Sequence, residues 1–430
     1  DITLGQIYDA GTISLDADRS YIVISPAAKL SAKALAGASS GYDNNGQYYS
    51  DTVLAAAGTI SLEAAERIIM ASDGANFDLT GVSNNQHGGK LAVTLDQSLR
   101  GGDSNNIDQA KTHYTRHSRI MLSSDAESSI PADLDFGDDI EIDSTADQNV
   151  ALTTLYTQQI EDSGAGSIHL KVHDDQYISS NIGGVSSYSL RQGQIAFKDG
   201  LQLSLDGTVV LDASEFIMPS VGGEQAASLV AHALRMGTSD IQYNRITPTR
   251  YTDLLENDDI SVFTINSPTD NTTLNISANL IDVFGDSVYN NIASLNLDSS
   301  SDIRFVGLKR NRNALISATL DPDDSYFGTT DIIGSMSMQD VALQLSAEIL
   351  YPTMMSDFEI INNGAQSSVT TIGASSASAP TPYSLGASLT ITARQIEHAG
   401  HISAPEGSVT LNGDQTADSS ISIRPDSSIS

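Results

Sequence analysis

Six acidic side chains within one short stretch, Asp133, Asp135, Asp138, Asp139, Glu141 and Asp143, are the best candidates in this sequence for holding a metal ion. Calcium takes six to eight oxygens converging on one point, and clustered carboxylates can supply them. Smaller acidic groups stand at Glu256, Asp258 and Asp259 and at Asp321, Asp323 and Asp324. None has the spacing of an EF-hand loop or of the glycine-rich nonapeptide of calcium-binding β-rolls. Calcium is therefore the one cofactor left open, and otherwise none is expected.

Other chemistry is weaker. His169 and His173 lie four apart in an apparent strand and would share its outward face. An ordinary solvated face is the simpler reading. His113 and His117 lie among Lys111, Arg116 and Arg119 without a carboxylate or Cys at zinc spacing. Paired carboxylates could serve glycoside hydrolysis, but sequence cannot set two of them across a groove. No phosphate-binding glycine loop or Gly-x-Ser-x-Gly elbow occurs, so the chain is not expected to be an enzyme. The basic run Arg304, Lys309, Arg310 and Arg312 could grip an acidic glycan or a neighbouring acidic rod, or be a solvated loop. Tyr42, Tyr48 and Tyr49, in an Asn- and Gly-rich insert, are the candidates for stacking on sugars.

Composition narrows the partners. With 54 acidic against 21 basic residues the net charge is −33, a field that repels nucleic-acid phosphates and anionic lipid. No apolar run is long enough to cross a membrane as a helix. Cysteine is absent, which removes disulfides and thiolate sites. With 40% hydrophobic residues, no Trp and only 6% aromatics, the core must be built from Leu, Ile, Val and Ala, which suit thin stacked layers. The opening Asp1-Ile2-Thr3 lacks Met and a signal sequence, so a segment of a larger protein is expected.

The elements that would position these groups follow from a repeat. The pattern apolar-x-apolar-x-Ala recurs at Ile13–Ala17, Ile60–Ala64, Leu274–Ala278, Leu343–Ala347 and Leu389–Ala393. Its alternation is that of strands with apolar residues inward and Ser, Thr, Asn or acids outward. Ala17 to Ala64 and Ala231 to Ala278 span 47 residues, and Ala347 to Ala393 spans 46. Leu274-x-Ile276 is followed by Leu295-x-Leu297 after 21, and Leu389-x-Ile391 by Val409-x-Leu411 after 20. A period near 20 with doubling near 47 predicts a parallel β-solenoid in which 47 residues are two coils and a loop. Roughly 15 to 20 coils at the interstrand spacing would give a rod roughly 70 to 100 Å long. Gly11, Gly58, Gly166, Gly285, Gly400 and Gly407 are assigned to turns needing positive φ. Residues 226–236 have helix-compatible spacing, but aligning Ala231 with Ala278 favours a strand.

One continuous body over residues 1–430 is expected, interrupted by polar excursions near 36–52, 97–117, 176–193, 238–259 and 363–386. The last contains the Ser-, Ala- and Pro-rich stretch 374–382. Excursions on a rigid scaffold are where recognition usually sits.

The stretch Ser388–Asn412, the segment Leu343–Phe358 and the units Gly11-Thr12-Ile13-Ser14-Leu15 and Gly58-Thr59-Ile60-Ser61-Leu62 resemble the repeats of filamentous haemagglutinin-like large exoproteins. That resemblance implies an all-β, right-handed parallel β-helix, exported by two-partner secretion through an outer-membrane β-barrel to the bacterial cell surface. It implies a structural and adhesive role in cell adhesion, biofilm formation or contact-dependent interaction, with a cell-surface or glycan receptor. Two other readings stay open: a carbohydrate-active β-helix enzyme, and a fibre subunit that pairs end to end by homo-assembly through open ladder edges.

Overall fold

A computed structural model describes residues 10–430 apart from 71–75, 82–87, 97–116, 125–149, 219–225, 239–261, 312–329, 374–381 and shorter gaps of up to three residues. The chain is nearly all β and its long sheets are parallel, with a single helix, Thr157–Asp162, among the described residues. Two compact units are formed. The first comprises Asp1–Asp174 with Gln202–Val210 and Val230–His232, and the second takes the remainder to Ser430.

In the first unit, Thr12–Ala17, Thr59–Ala64, Lys90–Asp96 and Ser167–His173 stack in parallel register. Ile13 meets Ile60, which meets Leu91, which meets Ile168. Leu15, Leu62, Val93 and Leu170 form the next column. Ile60, Leu62, Leu91, Val93, Ile168 and Leu170 are fully buried, while Ser61, Glu63 and Thr94 face outward. Each such side chain removed from water contributes about 1.5–3 kcal/mol, and only stacking neighbours can cover it.

The second unit has two parallel ladders. One runs through Thr272–Phe284, Ile292–Val306, Ala342–Ala347, Ser368–Gly373, Gln395–Ala399 and Ser420–Ile423. The other runs through Glu215–Ile217, Val262–Asn266, Asp286–Asn290, Thr330–Gln339, Ser356–Asn363, Ser388–Ala393 and Ser408–Gly413. Phe305 and Phe358 are both fully buried with ring centroids 5.1 Å apart.

The short spacings appear as adjacent rungs: Leu274 pairs with Leu295, and Leu389 with Val409. The long spacing needs correction. Ile13 pairs directly with Ile60, and Leu295 directly with Leu343, so 47 or 48 residues make one step rather than two coils. The surplus is an excursion, and the first of these steps contains the hairpin Ala36–Tyr42 with Tyr48–Leu54. Nor do Ala347 and Ala393 stack. Ala347 pairs with Gly373 in one ladder, whereas Ala393 pairs with Asn362 and Gly413 in the other. Both ladders use the same alternation, so equal patterns do not imply one column.

The insert 36–52 lies within that antiparallel hairpin, and 176–193 contains a second, Gln176–Ile182 with Val185–Arg191. Within 363–386, Ser368–Gly373 is a ladder strand and not part of an excursion, because Val369 and Thr371 face the buried interior. Nearly all of 97–117 and 238–259 lies outside the described residues. Residues 226–237 form a strand, as the alignment with Thr272–Phe284 predicts.

The glycines also differ from expectation. Among the six assigned to positive φ, only Gly285 has it, at 71°. At Gly58, Gly166 and Gly407 the need is closeness, whereas a Cβ on Gly11 would meet nothing within 4 Å. Gly11, Gly58, Gly89, Gly166 and Gly207 each precede or open the stacked portion of a first-unit strand. A Cβ on Gly58 would stand 1.9 Å from the Gly11 carbonyl oxygen, one on Gly89 2.2 Å from that of Gly58, and one on Gly207 2.2 Å from that of Gly166. Lys90 N donates to Gly58 O at 2.9 Å and Thr208 N to Gly166 O at 3.1 Å. Backbones here stack with no space for a side chain.

Candidate functional site

The three tyrosines lie on the two strands of the hairpin 36–54. Tyr42 is the register partner of Tyr48, and Tyr49 that of Gly41. Tyr48 is 63% exposed, as a sugar-stacking ring must be. The calcium candidates Asp133, Asp135, Asp138, Asp139, Glu141 and Asp143 lie outside the described residues, as do the acidic groups at 256–259 and 321–324 and His113. Among the described residues no three His, Asp or Glu converge as metal ligands.

His169 and His173 share the outward face of Ser167–His173 with Lys171 between them, as alternation requires. The basic run is divided by the fold. Arg304 belongs to a ladder strand, whereas Lys309 and Arg310 lie in Leu308–Asn311, which pairs antiparallel with Thr330–Ile333. Arg312 lies outside the described residues.

The outward faces of the second unit carry polar columns that bond to themselves. Gln194 Nε2 donates to Glu215 Oε2 at 2.5 Å, Asn266 Nδ2 to Glu215 Oε1 at 2.6 Å, and Asn290 Nδ2 to Asn266 Oδ1 at 2.8 Å. Asn296 Nδ2 likewise donates to Asn275 Oδ1 one rung away at 2.7 Å. Parallel in-register stacking puts like residues at one interstrand spacing, and an amide, with donor and acceptor on one group, can satisfy itself down such a column.

A charged column stands beside them. Arg304 grips Asp282 on the adjacent rung through Nε and Nη2 at 2.6 and 2.7 Å. Tyr351, the partner of Arg304 on the other side, donates its hydroxyl to Asp302 at 3.1 Å. The bond to Asp282 raises the Arg304 pKa above its ordinary value, against the effect of burial. Burial, and then the negative charge of Asp302, push the Tyr351 phenol up to about 12. Both groups hold one protonation state near neutrality, which suits fastening rather than proton transfer.

His398 is a titratable group that faces the interior. His398 is buried, pairs with Thr371 across the rung, and has its Nδ1 2.7 Å from Thr371 Oγ1 and its Nε2 3.2 Å from the Ser428 carbonyl. Burial depresses its pKa below 6.5, partly opposed by the Ser428 carbonyl and reinforced by His401. An apolar-face histidine satisfied on both nitrogens is a core residue that happens to titrate.

An open depression of about 510 Å³ is lined by Asn363, Thr392, Leu411, Asn412, Gly413 and Asp414. Its amide, hydroxyl and carboxylate groups come from neighbouring rungs and suit a hydroxyl-rich ligand. Sequence reasoning missed it because Asn363 falls at the edge of an assumed excursion and the lining residues span half a hundred positions. No protein-family model, curated protein or solved structure matches this chain.

Proposed function

We propose that this chain is a right-handed parallel β-helical segment of a large secreted bacterial surface exoprotein of the filamentous haemagglutinin kind, serving as a stiff scaffold that displays excursions for adhesion. The observation that carries the reading is the stacking of apolar columns in parallel register through successive rungs, as in Ile13, Ile60, Leu91 and Ile168. Two further features support it. Outward-facing polar groups such as Asp282 and Arg304 engage neighbouring rungs, and Tyr48 of the hairpin 36–54 is exposed.

Attachment is the test. Beads coated with the purified chain are expected to adhere to glycan arrays or host-cell layers. Replacing residues 36–54 and 176–191 by short Asn-Gly turns should abolish adhesion while leaving the far-ultraviolet β spectrum unchanged. Adhesion undiminished without both hairpins would sink the display role. Release of reducing or unsaturated ends from polysaccharide would favour a carbohydrate-active enzyme instead. Export through a partner is checked separately, by whether a gene for an outer-membrane β-barrel transporter adjoins this one.

A further inference from the structure

Two columns run side by side through one ladder of the second unit. The first is aliphatic throughout: Leu274, Leu295, Leu343, Val369, Ile396 and Ile421 are successive register partners. The second begins alike with Ile276, Leu297 and Leu345, then changes to Thr371 and His398 before Ile423. Leucine at the earlier rungs shows that an aliphatic side chain suits this column. Thr371 and His398 are nonetheless fully buried, so a hydroxyl and an imidazole occupy core positions at a cost in desolvation.

The hydrogen bonds fix the tautomer. His398 Nε2 lies 3.2 Å from the Ser428 carbonyl, which can only accept, so this nitrogen carries the proton. Nδ1 then accepts from the Thr371 hydroxyl at 2.7 Å. A second proton would sit on Nδ1, turn the Thr371 hydroxyl from donor to acceptor and place a full charge in the interior. The strands that cover the ring on the far side are slight. Ser420–Ile423 has four residues and Ser428–Ile429 two. Ile421, Ile423 and Ile429 are 43%, 59% and 42% exposed, whereas Ile396 and Ile402 on the rung beneath are buried. Backbone bonds hold this cover: Arg424 N donates to His398 O at 2.8 Å, Ser428 N to Gly400 O at 3.0 Å and Ser430 N to Ile402 O at 3.0 Å. His401 Nδ1 stands 2.7 Å from Ser428 Oγ, so two imidazoles bear on one serine.

Among the described residues, the elements packed on His398 turn no carboxylate toward it. Ser368–Gly373 brings Thr371, Ser420–Ile423 brings Ile423, and Ser408–Gly413, in contact with its strand, holds no charged residue. Glu397 faces outward and takes Arg424 Nε at 2.8 Å, while Arg394, just before the strand, donates to Asp418 at 2.9 Å. His401 bears on the ring with charge of the same sign. We propose that His398 is a pH-sensitive latch, whose second protonation releases Ser420–Ile423 and Ser428–Ile429 from Gln395–Ala399 and His401–Ile402 while the ladders behind stay stacked. Short, exposed strands are those that open locally. Opening brings water to the ring, and the open form binds the proton more readily because burial holds the closed form below 6.5. Opening is therefore rarest above about pH 6.5 and grows as pH falls from there to the closed value. Release bares the backbone edge of Gln395–Ala399 and His401–Ile402. The inference does not depend on the adhesive role proposed above.

Native-state hydrogen exchange of the full chain tests the latch between about pH 7.5 and about pH 5, a span in which Asp and Glu stay mostly ionised. With the intrinsic rate at each pH divided out, protection of the segment 420–430 is expected to fall by up to about tenfold per pH unit below about pH 6.5, the slope of one proton. Protection of Ala342–Ala347 should hold over the same span. His398→Leu, which extends the leucine column, and His398→Gln, which keeps a donor for the Ser428 carbonyl, should each remove the pH dependence of 420–430. His401→Gln should keep the fall over a narrower span of pH, since the closed form would then resist the proton less. An equal fall in Ala342–Ala347 would show global rather than local opening and overturn the latch. So would protection of 420–430 that ignores pH, a fall that survives in either His398 variant, or one that vanishes in His401→Gln.

Discussion

The carbonyl oxygen of Gly11 occupies the position that a side chain on Gly58 would need, 1.9 Å from an ideal Cβ. The obstacle is backbone, which cannot swing aside as a side chain can. Gly58→Ala is therefore expected to destabilise the first unit by about 2 kcal/mol or more, in the range of overpacked sites, while Gly200→Ala, whose Cβ would meet nothing, should cost about 1 kcal/mol through its positive φ alone. Urea melts of the two variants check the order.

Phe358 stands in the interior of the second unit against Phe305. Phe358→Ala removes a fully buried ring and should cost about 3–5 kcal/mol, whereas Phe358→Leu should cost less than half as much. Comparable losses for both would show that the site collapses around the smaller residue.

Arg304 and Asp282 form a partly exposed pair, so solvent screens much of its Coulomb attraction. What Arg304→Ala loses is chiefly two charge-assisted hydrogen bonds, about 1–3 kcal/mol. The loss measured at low salt should shrink at molar salt. A salt-independent loss would assign the effect to packing of the arginine stem.

The buried His398 has a depressed pKa, so the unfolded chain binds its proton more readily. Stability is then full above the unfolded value of about 6.5 and falls with pH from there down to the folded pKa. Thr371→Val with His398→Leu replaces both hydrogen-bonding partners by apolar groups. It should erase the slope between about pH 6.5 and the carboxylate range. A slope that survives belongs to some other group.

Much of the ladder was legible because alternation is local and stacked columns repeat residue type, which is why Leu274 and Leu295, or Leu389 and Val409, could be paired from spacing. What stayed hidden depends on the path between rungs. The 46-residue interval from Ala347 to Ala393 crosses from one ladder to the other, and identical patterns on both made the two indistinguishable. Ser368–Gly373 was masked by polar neighbours on both sides. Gly89 and Gly207 escaped notice because a glycine required by close stacking looks, in sequence, like one required by a turn. As for sites, the tyrosines of the hairpin are near neighbours in sequence and could be read together.

Successive partners in these columns are separated by as few as 20 residues, from Ile391 to Leu411, and as many as 77, from Leu91 to Ile168, yet each pair keeps side chains facing the same way. The architecture counts rungs and is indifferent to the length of chain between them. A lineage can therefore try out new segments at the corners, a hairpin here or a longer span there, without renegotiating the interior. Such changes would fall at the corners and leave the stacked frame as it stands.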